Sequence, residues 1–187
     1  MRKRILVDNC IVTYIKDLFF YKPPKKGNVN LLFEKTALVF LSNIKTFQLE
    51  FLLSEESLME IEKIKPGDKK NKLKAVYYAF KKNKPVIKNR SVSWNDEDTT
   101  WDSPDVYQAH ALGNNDLAKV KNFLRSKGND SEFDARYIVY AMLPKNRIDF
   151  FLTTDANIWS FRKEIKDKFN VVVMKPSELA EYYKYIR

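Results

Sequence analysis

Apolar positions in this chain come as short continuous runs separated by stretches with a helical period. Residues 4–8, inside "RILVDNC", read as a short strand buried on both faces, its centre Ile5, Leu6 and Val7 apolar without interruption. An aromatic-rich helix is predicted over residues 10–20. "KPPKKGN", 22–28, then breaks the chain, because paired prolines and a glycine cannot continue a helix. From 29 to 46, Leu31, Leu32, Ala37, Leu38, Leu41 and Ile44 lie on one helical face. "QLEFLL" reads as a second strand. "SEESLMEIEKI" reads as the helix after it, with Ser54 to cap the free N–H groups and acids in the first turn.

The middle of the chain, 65–128, is less regular. It holds a lysine-rich helix ("KKNKLKAVYYAFKKN"), a β-like stretch ("PVIKNRSVSW"), an acidic loop ("NDEDTTWDSPD") and a helix over "NDLAKVKNFLRSK". "GNND" and "GND" read as turns. Beyond Gly128 the order is clear. "SEFDARYIVYAML" predicts a helix capped by Ser131, "IDFFLTT" a strand and "NIWSFRKEIKDKF" a helix. "VVVM" gives another strand, and Pro176 opens the helix "PSELAEYYKYI". Strands alternating with helices predict an α/β fold whose parallel sheet is covered on both faces.

Composition narrows the classes. A chain of 187 residues with 44% hydrophobic and 14% aromatic content suits one globular domain. No apolar run reaches the roughly 20 residues of a membrane span, and "ILV" is too short for a signal peptide. The single cysteine excludes an internal disulfide framework. A soluble, cytoplasmic protein is the expectation. The 34 Lys and Arg outnumber the 24 Asp and Glu, giving a net charge of +10, which favours a polyanionic partner. The lysines of "KKNKLK" and "KKNK" are the candidate phosphate-tracking patch. Four glycines form no phosphate-cradling loop, and one His with one Cys excludes a structural zinc site.

Two of the buried-strand runs end on acids: "RILVDNC" on Asp8 and "FFLTTDAN" on Asp155. In a parallel sheet the carboxyl ends of the strands form the binding edge. Carboxylates gathered there repel one another unless a cation sits among them, and Mg2+ or Mn2+ takes oxygen ligands of this kind. Glu60, one to two turns into the helix after the second strand, and Asp134, at the start of the helix before the "FFLTTD" strand, are placed to join them.

In this order the motifs "ILVDNC", "LLSEESLMEIEKI", "EFDARYIVYA" and "FFLTTDANIW" resemble those of the PIN-domain nucleases, including the VapC-type toxin ribonucleases. The resemblance runs from the N-terminus to the last strand. It implies a three-layer α/β/α sandwich with a central parallel sheet, a single PIN-like domain over 1–187, and an elaboration at about 65–128. It also implies divalent-metal-dependent hydrolysis of RNA phosphodiester bonds, with Asp8, Glu60, Asp134 and Asp155 as catalytic and metal-binding acids and Mg2+ or Mn2+ as cofactor. Asp8 and Asp155 would be direct ligands. Asp134 would ligate directly or through water, and Glu60 would ligate or deprotonate the attacking water. Thr153, two residues before the last acid, would position a ligand or the scissile phosphate. The implied partners are an RNA substrate, preferentially single-stranded, and for a toxin of a toxin–antitoxin pair an antitoxin protein and a second copy of the chain. A defence nuclease is the other setting.

The chain departs from the family at two points. Asn9 stands one place early, with Cys10 in its usual slot, and Asn157 replaces an acid many members carry. Asn9 and Asn157 remain candidate supporting residues, while one charge fewer is available to a second ion. Each acid also has a plainer reading: Asp155 and Asp8 as cap or turn residues, Asp134 as a helix-start acid, Glu60 as a surface acid. Cys10 reads as a small core residue and His110 as a surface or core residue. Trp94 and Trp101 are candidate base-stacking rings; Trp159, at helical spacing, reads as packing inward. A non-catalytic PIN-like RNA- or protein-binding module is the alternative function. A phosphoacceptor or phosphohydrolase of another α/β family is a third, though a dehalogenase-like pattern would need an Asp where Cys10 stands.

Overall fold

The computed structural model describes residues 2–20, 29–43, 48–83, 86–87 and 104–185. Among them, strands β1 (Arg2–Val7), β2 (Gln48–Ser54), β3 (Val86–Ile87), β4 (Phe150–Leu152) and β5 (Val173–Met174) form one sheet in the order β3-β2-β1-β4-β5. Every pairing is parallel. β1 is central: Leu6 pairs with Leu52 of β2 on one side and Phe151 of β4 on the other.

Successive strand residues point to opposite faces, and the apolar runs therefore feed two cores. Ile5, Val7, Leu53, Phe150 and Leu152 enter the first, against α1 (Asn9–Phe19), α2 (Val29–Asn43), α4 (Asp68–Asn83) and α9 (Pro176–Tyr185). Leu6, Leu52, Phe151 and Val173 enter the second, against α5 (Pro104–Ser126), α6 (Glu132–Met142), α7 (Ala156–Trp159) and α8 (Arg162–Phe169). Burial on both faces is why these strands carry no polar alternation. The arrangement is α/β and compatible with a three-layer sandwich. The segment 65–128 supplies β3, and its helices bring Leu73, Val76 and Tyr77 to the first core and Val120, Phe123 and Leu124 to the second.

α3 (Glu55–Lys63) follows β2 directly, buries Ile61 in the first core and presents Ser57 to Tyr137 of α6 at 2.9 Å. Ser131 caps α6 as expected, its Oγ accepting from the Asp134 N–H at 3.2 Å. Ser54 takes the capping position of α3 without making a side-chain capping bond.

Other expectations change. "GNND" is helical: α5 begins at Pro104 and runs through Gly113, because one glycine costs only about 1 kcal/mol in a helix flanked by Ala and Leu. "GND" is a turn, with Gly128 at φ +80 where a side chain would be strained. The helix over 157–169 is two: the Phe161 N–H bonds Ile158 O at 3.1 Å, a tight turn that ends α7 before α8 starts. Leu32 is exposed on α2 rather than buried. "KPPKKGN", Ile44, Trp94, Trp101, most of "PVIKNRSVSW", the acidic loop before Pro104 and the His110 side chain lie outside the described residues. Among the described residues no helix is long and apolar enough to cross a membrane.

Candidate active site

The chain runs β1, β2, β3 outward on one side of the sheet and returns to β4 and β5 on the other. The order reverses between β1 and β4, and ligands bind such sheets in the crevice outside the carboxyl ends of the strands at that point. Asp8 and Thr153 are the first residues beyond those two strands. The ladder extends one step past each: Asp8 N–H donates to Leu152 O at 3.0 Å and Thr153 N–H to Met174 O at 3.0 Å.

Asp8 is 5% exposed and Thr153 is fully buried. The Thr153 hydroxyl donates to Asp8 Oδ2 at 2.6 Å and accepts from the Asp155 N–H at 3.0 Å, so one hydroxyl ties the two strand-end acids together. The Thr153 hydroxyl is fully buried and turned toward Asp8 and the Asp155 backbone. The Cys10 thiol donates to the same Asp8 oxygen at 3.1 Å, and Asp8 Oδ1 accepts from the Asn9 N–H. Burial, and then the Asp8 charge, push the Cys10 thiol well above its usual range, so it stays protonated and is no nucleophile. Asp155 accepts from the Asn157 N–H at 2.7 Å. Both acids thus cap the helices that follow them, Asp155 as its plainer reading expected and Asp8 in place of the turn expected of it. Asn157 itself is exposed and contributes a backbone donor.

Glu60 and Asp134 arrive from α3 and α6. A salt bridge between Arg136 Nη1 and Glu56 Oε1, 3.1 Å long, joins those helices, with Glu56 only 1% exposed. Glu56 and Glu60 are four residues apart and share one face of α3. Asp134 Oδ2 accepts from Asn129 Nδ2 at 2.8 Å, and Asn129 is held in turn by the Gly128 turn, its Oδ1 accepting from the Ser131 N–H. Asp130 and Glu132, the neighbours that compete with Asp134 in sequence, are exposed and pair with Arg125, and with Lys121 and Arg136, respectively.

Three of the acids are raised by burial and by their neighbours' charge. Burial pushes the Asp8 carboxyl up against the pull of the Thr153, Cys10 and Asn9 bonds, and the Asp155 charge adds to the rise. Glu60 is pushed up to about 7 by burial and then by the charges of Asp8 and Asp134, with Asn9 and Tyr137 opposing as hydrogen-bond partners. Asp134 is pushed up to about 6 by burial foremost; Asn129 holds it down while Asp8 and Asp155 raise it. Among the described residues, no three acidic, thiol or imidazole groups converge tightly enough to hold an ion between them. Each acid is held instead by donors on neighbouring backbone and side chains.

The available donors are carboxylate, hydroxyl and amide oxygens, the set that hard divalent cations prefer. Asn9 Oδ1 is buried beside Asp8 with no hydrogen-bond partner, an oxygen whose lone pairs have been taken from water without replacement. The donor types suit Mg2+ or Mn2+, while their spacing among the described residues leaves them apart. Comparison against protein-family models and against curated proteins returns no match for this chain.

Sequence reasoning missed Asn129 and the Glu56–Arg136 pair. Glu56 could have been found from its spacing to Glu60, and Asn129 from its place two residues before the Ser131 cap and five before Asp134.

The raised acids make stability depend on pH. In the unfolded chain Glu and Asp titrate near about 4. Between there and about 7 the folded protein retains protons that the unfolded chain has released, so the metal-free fold loses stability as pH rises. After discounting for solvent screening, the loss is about 1–2 kcal/mol. Thermal melts in EDTA at about pH 5 and about pH 7.5 measure it. Glu60→Gln is expected to flatten the dependence, and an unchanged slope contradicts the assignment.

Proposed function

We propose that this protein is a divalent-metal-dependent ribonuclease of PIN-like architecture that hydrolyses RNA phosphodiester bonds. The observation carrying this reading is the Thr153 hydroxyl that joins Asp8 to the Asp155 backbone at the carboxyl edge of a parallel sheet, where the strand order reverses, with Glu60 and Asp134 near enough to be raised by the Asp8 charge. Asp8 and Asp155 would hold the ion, with Asp134 as a third acid and Asn9 Oδ1 as a neutral oxygen beside them. When bound, Mg2+ or Mn2+ lowers the pKa of a water and stabilises charge growing on the phosphate oxygens. Glu60, titrating near neutrality, is suited to take a proton from the attacking water at its carboxylate. Thr153 keeps Asp8 and the Asp155 backbone in register. A net charge of +10 favours a polyanionic substrate. The "KKNKLK" cluster contributes less than its composition implies, since Lys70 and Lys74 pair with Glu62 and Lys72 with Asp68.

Incubation of the protein with mixed single-stranded RNA tests the reading. Cleavage that appears with Mn2+ or Mg2+ and stops with EDTA is expected; cleavage indifferent to EDTA overturns it. A second reading is a non-catalytic RNA-binding module. It is favoured by the hydrogen bonds that already occupy both Asp8 oxygens. RNA binding without cleavage in the same assay would select it. A toxin role, an antitoxin partner, a homodimer and a cytoplasmic location remain part of the proposal as implied by the resemblance to PIN-domain nucleases.

A further inference from the structure

We propose that the cavity beside Thr154 is a subsite for the single-stranded RNA nucleotide adjoining the scissile phosphate, an inference that rests on the ribonuclease reading. The cavity has a volume of about 290 Å3 and is lined by Tyr14, Asn30, Phe33, Glu34, Thr154 and Lys175 among others. That is the lower end of the range for small-ligand pockets, a size suited to one nucleoside rather than a duplex.

Thr154 is a wall shared with the acids. It lies between Thr153 and Asp155, its hydroxyl donates to the Tyr14 hydroxyl at 3.1 Å, and its N–H donates to Cys10 Sγ at 3.2 Å. A chain whose scissile phosphate met the acids would therefore carry its next nucleotide into this cavity.

The lining has the chemistry of a nucleotide. Lys175, just past the carboxyl end of β5, has no carboxylate partner on its ammonium among the described residues. Its Nζ sits 3.6 Å from the Trp159 ring centroid, and Arg162 stacks on the same ring at 3.9 Å. Trp159 in turn donates to Glu178 at 2.8 Å, and Glu178 accepts from the Lys175 N–H at 2.8 Å, so the lysine's backbone is held. The cavity's acid, Glu34, is already committed: its oxygens accept from the Ser177 N–H at 2.9 Å and hydroxyl at 2.7 Å. The cationic group is thus the one left for a phosphate. Phe33 is 64% exposed, a ring held in water on α2 that offers a stacking platform for an unpaired base. Asn30 adds an amide able to meet a base edge.

The test measures fluorescence anisotropy of a short labelled single-stranded oligoribonucleotide in EDTA with the wild type, Phe33→Ala, Lys175→Gln and, as control, Leu32→Ala. Leu32 is exposed on the same helix and is not among the residues named above. Thermal melts confirm that each variant folds. Phe33→Ala and Lys175→Gln are each expected to weaken binding about tenfold, and Leu32→Ala to stay within about twofold. No binding by the wild type, or equal binding by all four proteins, overturns the subsite. Mn2+-dependent cleavage with unaltered binding in Phe33→Ala and Lys175→Gln would remove the subsite alone. Loss of binding in those variants, together with cleavage that survives Asp8→Asn, would remove the ribonuclease mechanism and leave the subsite standing.

Discussion

Asp8→Asn is expected to remove Mn2+-dependent RNA cleavage, lowering its rate about a hundredfold or more, the scale of losing one electrostatic anchor of a transition state. The substitution changes charge with little change in shape. Asparagine keeps an oxygen for the Asn9 N–H, and its amide can donate to the Thr153 hydroxyl in place of the bond that hydroxyl now gives. The fold should therefore survive. The carboxylate at this position is buried and disfavoured in its charged form, so its removal is not expected to lower the melting temperature of the metal-free protein. Asp130→Asn is the matched control, since Asp130 is exposed and paired with Arg125. Equal cleavage by wild type and Asp8→Asn would sink the mechanism, whereas equal loss in Asp130→Asn would point to a general charge effect.

Arg136→Ala is expected to destabilise the fold by about 1.5–3 kcal/mol, the scale of a hydrogen bond to a charged group, because it removes a charged donor from a buried carboxylate. Glu56 is 1% exposed, and Arg136 bridges it to Glu132, whose Oε1 lies 2.7 Å from Nη2. Such a loss is a large part of the roughly 5–15 kcal/mol that separates folded from unfolded domains. The bridge also fixes α3 against α6, the two helices that carry Glu60 and Asp134, so activity should fall before unfolding does. Denaturant titration gives the stability. Adding Glu56→Gln to Arg136→Ala is expected to cost less than the sum of the two single substitutions, the mark of a direct pair. A loss below about 1 kcal/mol would mean that the pair is only a surface contact.

Much of this was legible in the chain itself where one residue's neighbours in sequence decide its surroundings. β1, β2 and β4 were readable because the stretches of strand buried on both faces, residues 5–7, 51–53 and 150–152, are continuously apolar, and Asp8 and Asp155 stood out because each follows such a run. Ser131 and Pro176 announced their helices through local bonding and a preset backbone angle. Gly113 and its flanking asparagines looked like a turn, yet tertiary packing of Val120, Phe123 and Leu124 holds the helix around them. The break between α7 and α8 was hidden because "NIWSFRKEIKDKF" keeps a helical period across it. The Thr153 bond to Asp8 and the Arg136 bridge to Glu56 depend on groups brought together from distant parts of the chain. Sequence spacing carries no trace of such contacts.

The proposed mechanism requires Asp8, Glu60, Asp134 and Asp155 to act as one site for a divalent ion. Titration calorimetry of the protein with Mn2+ at about pH 7.5, where Glu60 and Asp134 are mostly ionised, measures this binding. The wild type is expected to bind saturably, and Asp8→Asn to abolish that binding. Binding of the same strength in both proteins, or none in the wild type, would contradict the mechanism.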